Sequence, residues 1–297
     1  MQTQGNILRG SLAALFVIFL WSTWLVVSRI GAQSELTIFD LAALRYGISS
    51  LVTLPFVIYF KPWKNLTVLK IVVLTILLGP LYIFCVFGGF LYAPVAHGGI
   101  FLNGSLPVWT LLLGAMFFSE RISIKQTFGV ILIFLASVLA LQDASGSVTQ
   151  YTWKGDILFF ISAIFFSGYL TLSRHWNISM MDVLFCSSIL NCLLYVPLWL
   201  FFLPKGSFDA FSYDFLLQMV YQGIMPNVVG LLLVAYAAKN IGAAATAAFL
   251  AGVPPLSTIF GFIFLNESLG FLGWASLIII TPGILLIAIS RKIELAR

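Results

Sequence analysis

The sequence predicts an all-α integral membrane protein with ten transmembrane helices, arranged as two inverted five-helix repeats. The composition, ten long apolar segments and one set of motifs found in both halves support this fold class. Only 8% of the 297 residues are charged, 61% are hydrophobic, and the mean hydropathy is +1.07. A soluble domain carries about 25% charged residues, so this chain lacks the polar side chains that would cover a water-facing globule. The same apolar content excludes a disordered chain.

The polar residues exclude several other classes of protein. Fifteen Lys and Arg residues give a net charge of +5, but they are scattered, which argues against a nucleic-acid partner. The cysteines Cys85, Cys186 and Cys192 lie inside apolar runs, without the paired spacing of zinc ligands or of a disulfide framework. The sequence has no Gly-x-x-x-x-Gly-Lys loop. We therefore expect no metal, no cofactor and no direct use of ATP.

Ten apolar segments are long enough to cross a bilayer, which takes about 20 helical residues. The ten-residue alternation of a membrane β-barrel is absent. Arg9 precedes the first segment as in a signal peptide, but no small-residue cleavage site follows, so we expect this helix to be retained. The predicted helices are Ser11–Ile30, Ile38–Phe60, Leu69–Phe90, Ala96–Phe117, Ile124–Leu141, Asp156–Ser173, Val183–Leu203, Phe215–Ala237, Ala243–Phe264 and Gly270–Ser290.

The basic residues of the loops predict the orientation. With the N-terminus inside, 11 of the 15 Lys and Arg residues lie on the cytoplasmic side, three lie on the far side, and Arg45 lies within the second helix. Short cytoplasmic loops carry an excess of Lys and Arg. We therefore expect a multi-pass protein of the plasma or inner membrane, with both termini in the cytoplasm.

One set of motifs recurs at a nearly constant separation. Pro107 precedes a Phe-Phe-Ser-Glu sequence that ends at Glu120. Pro254 precedes a similar Phe-Leu-Asn-Glu sequence that ends at Glu267, and the second proline and the second glutamate each lie 147 positions after the first. These matches predict repeats at 1–142 and 150–297. Further pairs, 142 to 146 positions apart, are Trp24 with Tyr169, Arg29 with Arg174, Asp40 with Asp182 and Pro80 with Pro226.

Five helices per repeat is an odd number, so the second copy must enter the membrane from the opposite face. Inverted repeats are a recurrent design of secondary transporters, in which two equivalent halves exchange conformations around a central site. The repeat thus favours alternating access, in which one cavity opens to each face in turn.

The block Pro107…Glu120-Arg121, followed by Gly129 and repeated as Pro254…Glu267, resembles the drug/metabolite transporter superfamily, EamA type, over essentially the whole chain. The second copy departs from this pattern, since Ser268 follows its glutamate. The resemblance implies a carrier of small metabolites, often amino acids or related compounds and often an exporter. It also implies a central cavity lined by the first, third, fourth, sixth, eighth and ninth helices.

Two aromatic faces are candidate walls of a cavity. Trp21, Trp24 and Ser28 share one face of the first helix because they are three and seven residues apart. Phe166 and Tyr169 repeat this pattern in the sixth helix. Such walls can stack planar or amphipathic substrates. The alternative is that these rings only pack between helices.

Mid-membrane amides are further candidate ligands. Asn103 lies four residues before Pro107, where proline frees a backbone carbonyl. Tyr82 and Asn227 follow Pro80 and Pro226 and are similar candidates. The alternative is that these polar groups tie helices together.

Ionisable residues in or near the helices complete the set of candidates. Arg45 could bind a substrate carboxylate, or it could pair with Asp40 or extend to the membrane surface. His97 could titrate near neutral pH or be a structural residue at a helix end. We interpret Glu120 and Glu267 as gate or loop-ordering residues at opposite faces.

These features predict a secondary carrier, without ATP, of small neutral or zwitterionic metabolites in a lipid bilayer. The resemblance further implies that the metabolites are amino acids or related compounds and that the carrier works as an exporter. Proton coupling through Asp40, Asp182 or a helix-end glutamate and uncoupled exchange are both open, as are a monomer and a homodimer. A channel or a lipid flippase is the alternative. An intramembrane enzyme is disfavoured, because no His-Glu-x-x-His motif, paired intramembrane aspartates or Ser-His group is present.

Overall fold

The computed structural model describes residues 4–143, 146–207, 209 and 212–294, and this part of the chain forms ten membrane-length helices with no β-strand. All ten predicted helices are present. The largest boundary difference is at the first helix, which begins at Gln4 rather than at Ser11. The helices, α1 to α10, are Gln4–Gln33, Ile38–Phe60, Val68–Tyr92, Val95–Phe118, Ile124–Gln142, Thr152–His175, Met180–Phe202, Tyr213–Ile241, Ala245–Leu265 and Phe271–Ser290.

Five of these helices are interrupted part of the way across. Helix α3 breaks just before Pro80, and α9 breaks between Leu250 and Val253. Helices α4, α7 and α8 instead contain wider π-helical turns. Each interruption frees backbone groups that water cannot reach inside a membrane, so other protein groups must satisfy them. The π-helical turns are Gly98–Gly104, Phe185–Leu190 and Met225–Gly230.

Side chains from equivalent positions of the two repeats bind the carbonyls near two of these breaks. The Ser49 hydroxyl of α2 donates to the carbonyl of Gly223 in α8 at 2.6 Å, and the Asn191 amide of α7 donates to that of Thr75 in α3 at 3.2 Å. Asn191 lies 142 positions after Ser49, the separation of the repeat in this region. Both residues thus stabilise a broken helix of the other repeat.

The ends of α4 and α9 have the same geometry, as the repeated sequence predicts. Ser119 and Asn266 each follow their helix in the left-handed conformation, with a φ of 53°. The next residues, Glu120 and Glu267, each donate their backbone N–H to a carbonyl six residues earlier, at 3.2 Å. The two C-terminal caps therefore aim two equivalent carboxylates back toward the helix bundle.

The starts of α2 and α7 also match. Thr37 with Asp40, and Ser179 with Asp182, form capping boxes in which each side chain binds the other residue's backbone N–H. Asp40 also accepts from the Trp199 indole and from the backbone N–H of Gly206, both at 2.8 Å. These two carboxylates therefore order helix starts, and in this conformation neither pairs with Arg45.

Glycines allow the closest helix contacts. A Cβ atom at Gly129 of α5 would lie 2.7 Å from the Gly283 carbonyl of α10, so a larger residue would force these helices apart. Gly99 of α4 packs against Pro254 and Ser257 of α9, so α4 and α9 meet at this glycine.

The two glutamates lie at opposite ends of the bundle. Arg29, near the end of α1, pairs with Glu267, while Arg174, near the end of α6, pairs with Glu120. Three crossings separate the end of α1 from the end of α4, so Glu120 faces the compartment opposite to Glu267. We call these the Glu267 end and the Glu120 end of the molecule. The second repeat is therefore inverted relative to the first.

Candidate functional site

A cavity lies between the two repeats, and about 660 Å³ of space at this site, including space open to solvent, is free of protein atoms. All seven residues that the sequence proposes as substrate ligands line it. They are Trp21, Trp24, Arg45, Tyr82, Asn103, Tyr169 and Asn227.

Aromatic rings from both repeats form much of the wall. Tyr82 and Phe166 stack with their centroids 5.6 Å apart and their planes 27° from parallel. Tyr169 meets Phe166 edge-on at 5.3 Å. Trp21 and Trp24 line the cavity from α1. The cavity can thus contact a planar or apolar group over a large area.

Arg45 is the cation of this cavity. The residue is 8% exposed, and one of its terminal nitrogens donates to the Asn227 side-chain oxygen at 3.3 Å. Its guanidinium lies 5.7 Å from the centroid of the Trp24 ring. The other terminal nitrogen is buried without a hydrogen-bond partner, and Arg45 forms no ion pair with any carboxylate of the described chain. A buried guanidinium without a counter-ion is costly, so this group suits a bound anion.

Two further polar groups at the cavity have no partner in the described chain. They are the amide nitrogen of Asn103 and the hydroxyl of Ser187 in α7. Ser187 lies 142 positions after Arg45, so the repeats place a cation and a hydroxyl at equivalent positions. Buried polar groups normally find partners, and these two are available to a substrate.

Two glutamines close the cavity toward the Glu267 end. Gln222 of α8 accepts from the Trp24 indole at 2.8 Å and donates to the Ser28 hydroxyl at 3.2 Å and to Gln218 at 2.9 Å. Gln218 donates to the carbonyl of Val27 at 2.7 Å. Both glutamines are fully buried. They were missed in the sequence, although two amides four residues apart in an apolar helix are a usable signal.

An ion pair seals the Glu267 end beyond these glutamines. Arg29 lies 2.9 Å from Glu267, and their side chains are 11% and 12% exposed. Arg29 also donates to the carbonyl of Phe90, and Glu267 accepts from the backbone N–H of Val95 at 2.7 Å. These contacts connect α1, α3, α4 and α9, so this end of the cavity is closed.

The equivalent pair at the Glu120 end is more open. Arg174 pairs with Glu120, and their side chains are 37% and 28% exposed. His175 lies 3.1 Å from the same carboxylate and stacks on the ring of Phe118. Tyr169, one and a half turns before Arg174, lines the cavity. The cavity therefore extends toward the Glu120 end, and the two ends differ in how tightly they are closed.

The remaining predicted residue, His97, lies outside the cavity wall. It is 1% exposed at the start of α4 and contacts Asp156 of α6. The helices that line the cavity also differ from those the resemblance implies. Helices α2 and α7 contribute to the wall, whereas α9 does not, because its Pro254 segment packs behind Gly99 of α4.

The ten-helix inverted repeat and the polar, aromatic cavity between its halves define a membrane transporter. The sequence profile of the EamA-like transporter family matches residues 8–142 and 153–289. These matches cover nearly all of the chain, and it belongs to the EamA-like transporter family.

Two relatives that are named as transporters match this chain over part of their length. The uncharacterized transporter YcxC of Bacillus subtilis (strain 168) is 24% identical over 210 residues, which are 66% of this chain and 65% of that protein. The S-adenosylmethionine uptake transporter of Rickettsia bellii (strain RML369-C) is 28% identical over 165 residues, or 54% of each chain. The matched part is thus less than two thirds of either relative. A solved crystal structure at 20% identity shares the fold with a TM-score of 0.64, over 96% of this chain and 98% of that chain.

Proposed function

We propose that this protein is a secondary carrier of small metabolites of the α-amino-acid type, which bear a carboxylate together with a planar or apolar group. The observation that carries the proposal is the Arg45 guanidinium inside an aromatic cavity between the repeats, where it has no ion-pair partner in the described chain. A carboxylate suits the planar fork of an arginine, which binds two oxygens at once. The rings of Trp21, Tyr82 and Phe166 suit the remainder of such a molecule.

S-adenosylmethionine, the substrate named for the Rickettsia relative, is one compound with this chemistry. It carries an α-amino-acid carboxylate and a planar adenine ring. The relative's partial coverage makes this compound a probe for this chain rather than its assigned substrate. Neutral and zwitterionic amino acids with large side chains satisfy the same two requirements.

Transport by alternating access accounts for the two equivalent ion pairs. When the repeats exchange conformations, the pair Arg29–Glu267 opens and the pair Arg174–Glu120 takes over the tight closure. The excess of Lys and Arg in the loops on the Glu120 side supports a cytoplasmic location for this end, in the plasma or inner membrane. Loading of the cavity from this end is the first step of export, which is the direction that we propose.

The test is counterflow in proteoliposomes containing the purified protein. Vesicles preloaded with an unlabelled α-amino acid or with S-adenosylmethionine are diluted into the labelled compound. A carrier gives saturable, transient accumulation above the level of protein-free vesicles. The decarboxylated amine of each compound is the matched control and should not compete. Flux without saturation or counterflow would instead indicate a channel, and the absence of flux for every carboxylate tested would overturn the proposal.

A further inference from the structure

The charge of the cavity wall comes from Arg45. Among the described residues that line the cavity, Arg45 alone is charged, and the others have apolar, aromatic, amide or hydroxyl side chains. A guanidinium stays protonated in proteins. The wall therefore carries one positive charge and, within the described chain, no negative one.

The groups that hold Arg45 in place are neutral. Its guanidinium donates to the side-chain oxygen of Asn227 at 3.3 Å and lies over the ring of Trp24. The amide nitrogen of Asn227 donates to the Ser49 hydroxyl at 2.9 Å, and this hydroxyl donates to the carbonyl of Gly223. The second bond fixes the amide, so its oxygen faces the guanidinium. This arrangement positions the charge of Arg45 without neutralising it.

The carboxylates of the neighbouring helices are engaged elsewhere or lie outside the wall. Asp40 caps α2 and accepts from the indole of Trp199. Glu267 and Glu120 each pair with an arginine, at opposite ends of the molecule. Asp182 caps α7 through one oxygen, and its second oxygen is buried without a hydrogen-bond partner in the described chain, but this residue does not line the cavity. A separate variant therefore tests Asp182.

The buried polar atoms that lack partners at the cavity suit an acceptor. They are a terminal nitrogen of Arg45 and the amide nitrogen of Asn103, which donate, and the hydroxyl of Ser187, which donates or accepts. A carboxylate accepts from such groups with both of its oxygens. An ammonium is a donor, and the side-chain oxygens that the described wall offers to it belong to neutral amides and hydroxyls. The cavity therefore suits the anionic end of a substrate better than a cationic end.

The net charge of the occupied cavity distinguishes two kinds of carboxylate. A monoanion neutralises Arg45, whereas an amino acid brings an ammonium together with its carboxylate and leaves one positive charge in the closed cavity. An uncompensated charge away from water is unfavourable. A charge within about 4–6 Å changes the stability of another charged group by about 10- to 1,000-fold. Because the ammonium of an amino acid lies next to its carboxylate, it is held near Arg45 and should weaken binding.

We infer that the cavity selects carboxylates with a single net negative charge, which carry an aromatic or apolar group and no ammonium. Aromatic 2-oxo acids, 2-hydroxy acids and N-acyl amino acids have this chemistry. The inference rests on the proposed carrier function and refines its substrate class, and it departs from the neutral or zwitterionic class that the sequence predicts. S-adenosylmethionine carries an ammonium and a sulfonium beside its carboxylate, so it should bind less tightly than a monoanion of similar size.

Ligands that share a side chain and differ in charge test this inference. Hydrocinnamate, L-phenylalanine and phenethylamine carry, in this order, a carboxylate, a carboxylate with an ammonium, and an ammonium. The corresponding leucine series replaces the aromatic ring by an apolar group. The Kd of each compound is measured in detergent by quenching of tryptophan fluorescence, since Trp21 and Trp24 line the cavity. Competition with counterflow in proteoliposomes shows which compounds occupy the transport site.

Hydrocinnamate should bind at least about tenfold more tightly than L-phenylalanine, and phenethylamine should not bind. In Arg45→Gln both carboxylates should bind more weakly, and the preference for the monoanion should be lost. A purely structural role of Arg45 would weaken both compounds equally and leave the ratio of their Kd values unchanged. Asp182→Asn keeps an oxygen for the start of α7 and should leave this ratio as in the wild type. Thermal unfolding shows which variants are folded.

Three results would overturn the inference and leave the proposed carrier intact. The first is an amino acid that binds the wild type as tightly as its monoanion, and this comparison remains valid if a variant fails to fold. The second is an unchanged ratio in folded Arg45→Gln. The third is a selective loss of amino-acid binding in folded Asp182→Asn, because Asp182 would then hold the ammonium. If no carboxylate of either series binds or undergoes counterflow, the proposed function fails together with the inference.

Discussion

Replacement of Arg45 tests whether this residue binds the substrate or only stabilises the fold. If the guanidinium binds the substrate carboxylate, Arg45→Gln removes charge-assisted hydrogen bonds worth about 1.5–3 kcal/mol. At about 1.4 kcal/mol per factor of ten, the KM for carboxylate substrates should rise by about 10- to 150-fold. Arg45→Lys keeps the charge but loses the planar fork, and its KM should lie between that of the wild type and that of Arg45→Gln.

The structure also fixes the effect on stability. Arg45 makes one long hydrogen bond to Asn227 and one ring contact with Trp24, and it has no counter-ion in the described chain. Replacing a buried, uncompensated charge leaves no charged partner behind, so the Tm of Arg45→Gln should not fall below that of the wild type. Counterflow in proteoliposomes gives the KM, and thermal unfolding in detergent gives the Tm. An unchanged KM together with a lower Tm would refute the proposed role and make Arg45 a structural residue.

Three further substitutions test the walls and the packing. Trp24→Phe keeps a ring but leaves the buried Gln222 oxygen without its indole donor. The free energy of unfolding should fall by about 1–3 kcal/mol, seen as a lower Tm. An unchanged Tm would contradict the closure described for the Glu267 end. Asn103→Ala removes an amide with no partner in the described chain, so it should leave the Tm unchanged while the KM rises about 2- to 12-fold; equal transport kinetics would remove it from the site. Gly129→Leu places a side chain against the Gly283 carbonyl and should destabilise the protein by about 1–3 kcal/mol. Gly5→Leu is the control, because nothing lies within 4 Å of the added Cβ, and it should not destabilise the protein.

The sequence predicted the number of helices, the repeat and the residues around the cavity because these follow from local patterns. About 20 apolar residues in succession have few alternatives to a membrane helix. Prolines and polar residues inside such helices are rare enough to mark the places where two repeats face each other. Tyr82, Asn103 and Asn227 were identified in this way, and all three line the cavity. Their role in binding remains a prediction.

The polar contacts between distant helices could not be predicted in the same way. Arg29 and Glu267 are 238 positions apart, and His97 and Asp156 are 59 apart, so their pairing depends on the packing of the repeats. The π-helical turn in α7 contains no proline to mark it. The pairing of Arg45 with Asp40 was one alternative in the sequence, and the structure shows why it fails: Asp40 is occupied by its own capping box, by Trp199 and by Gly206.

Cross-linking of the two ends tests most directly whether the inverted repeats open one cavity alternately. Arg29 and Glu267 are both replaced by cysteine in one variant, and Arg174 and Glu120 in another. In each variant the two cysteines are joined by bifunctional thiol reagents of graded length. With the Glu267 end locked, counterflow should stop while the cavity stays accessible to a small thiol reagent from the Glu120 face alone. Locking the Glu120 end should reverse that access and should also stop counterflow. Flux that continues with either end locked, or a cavity open to both faces at once, would contradict alternating access.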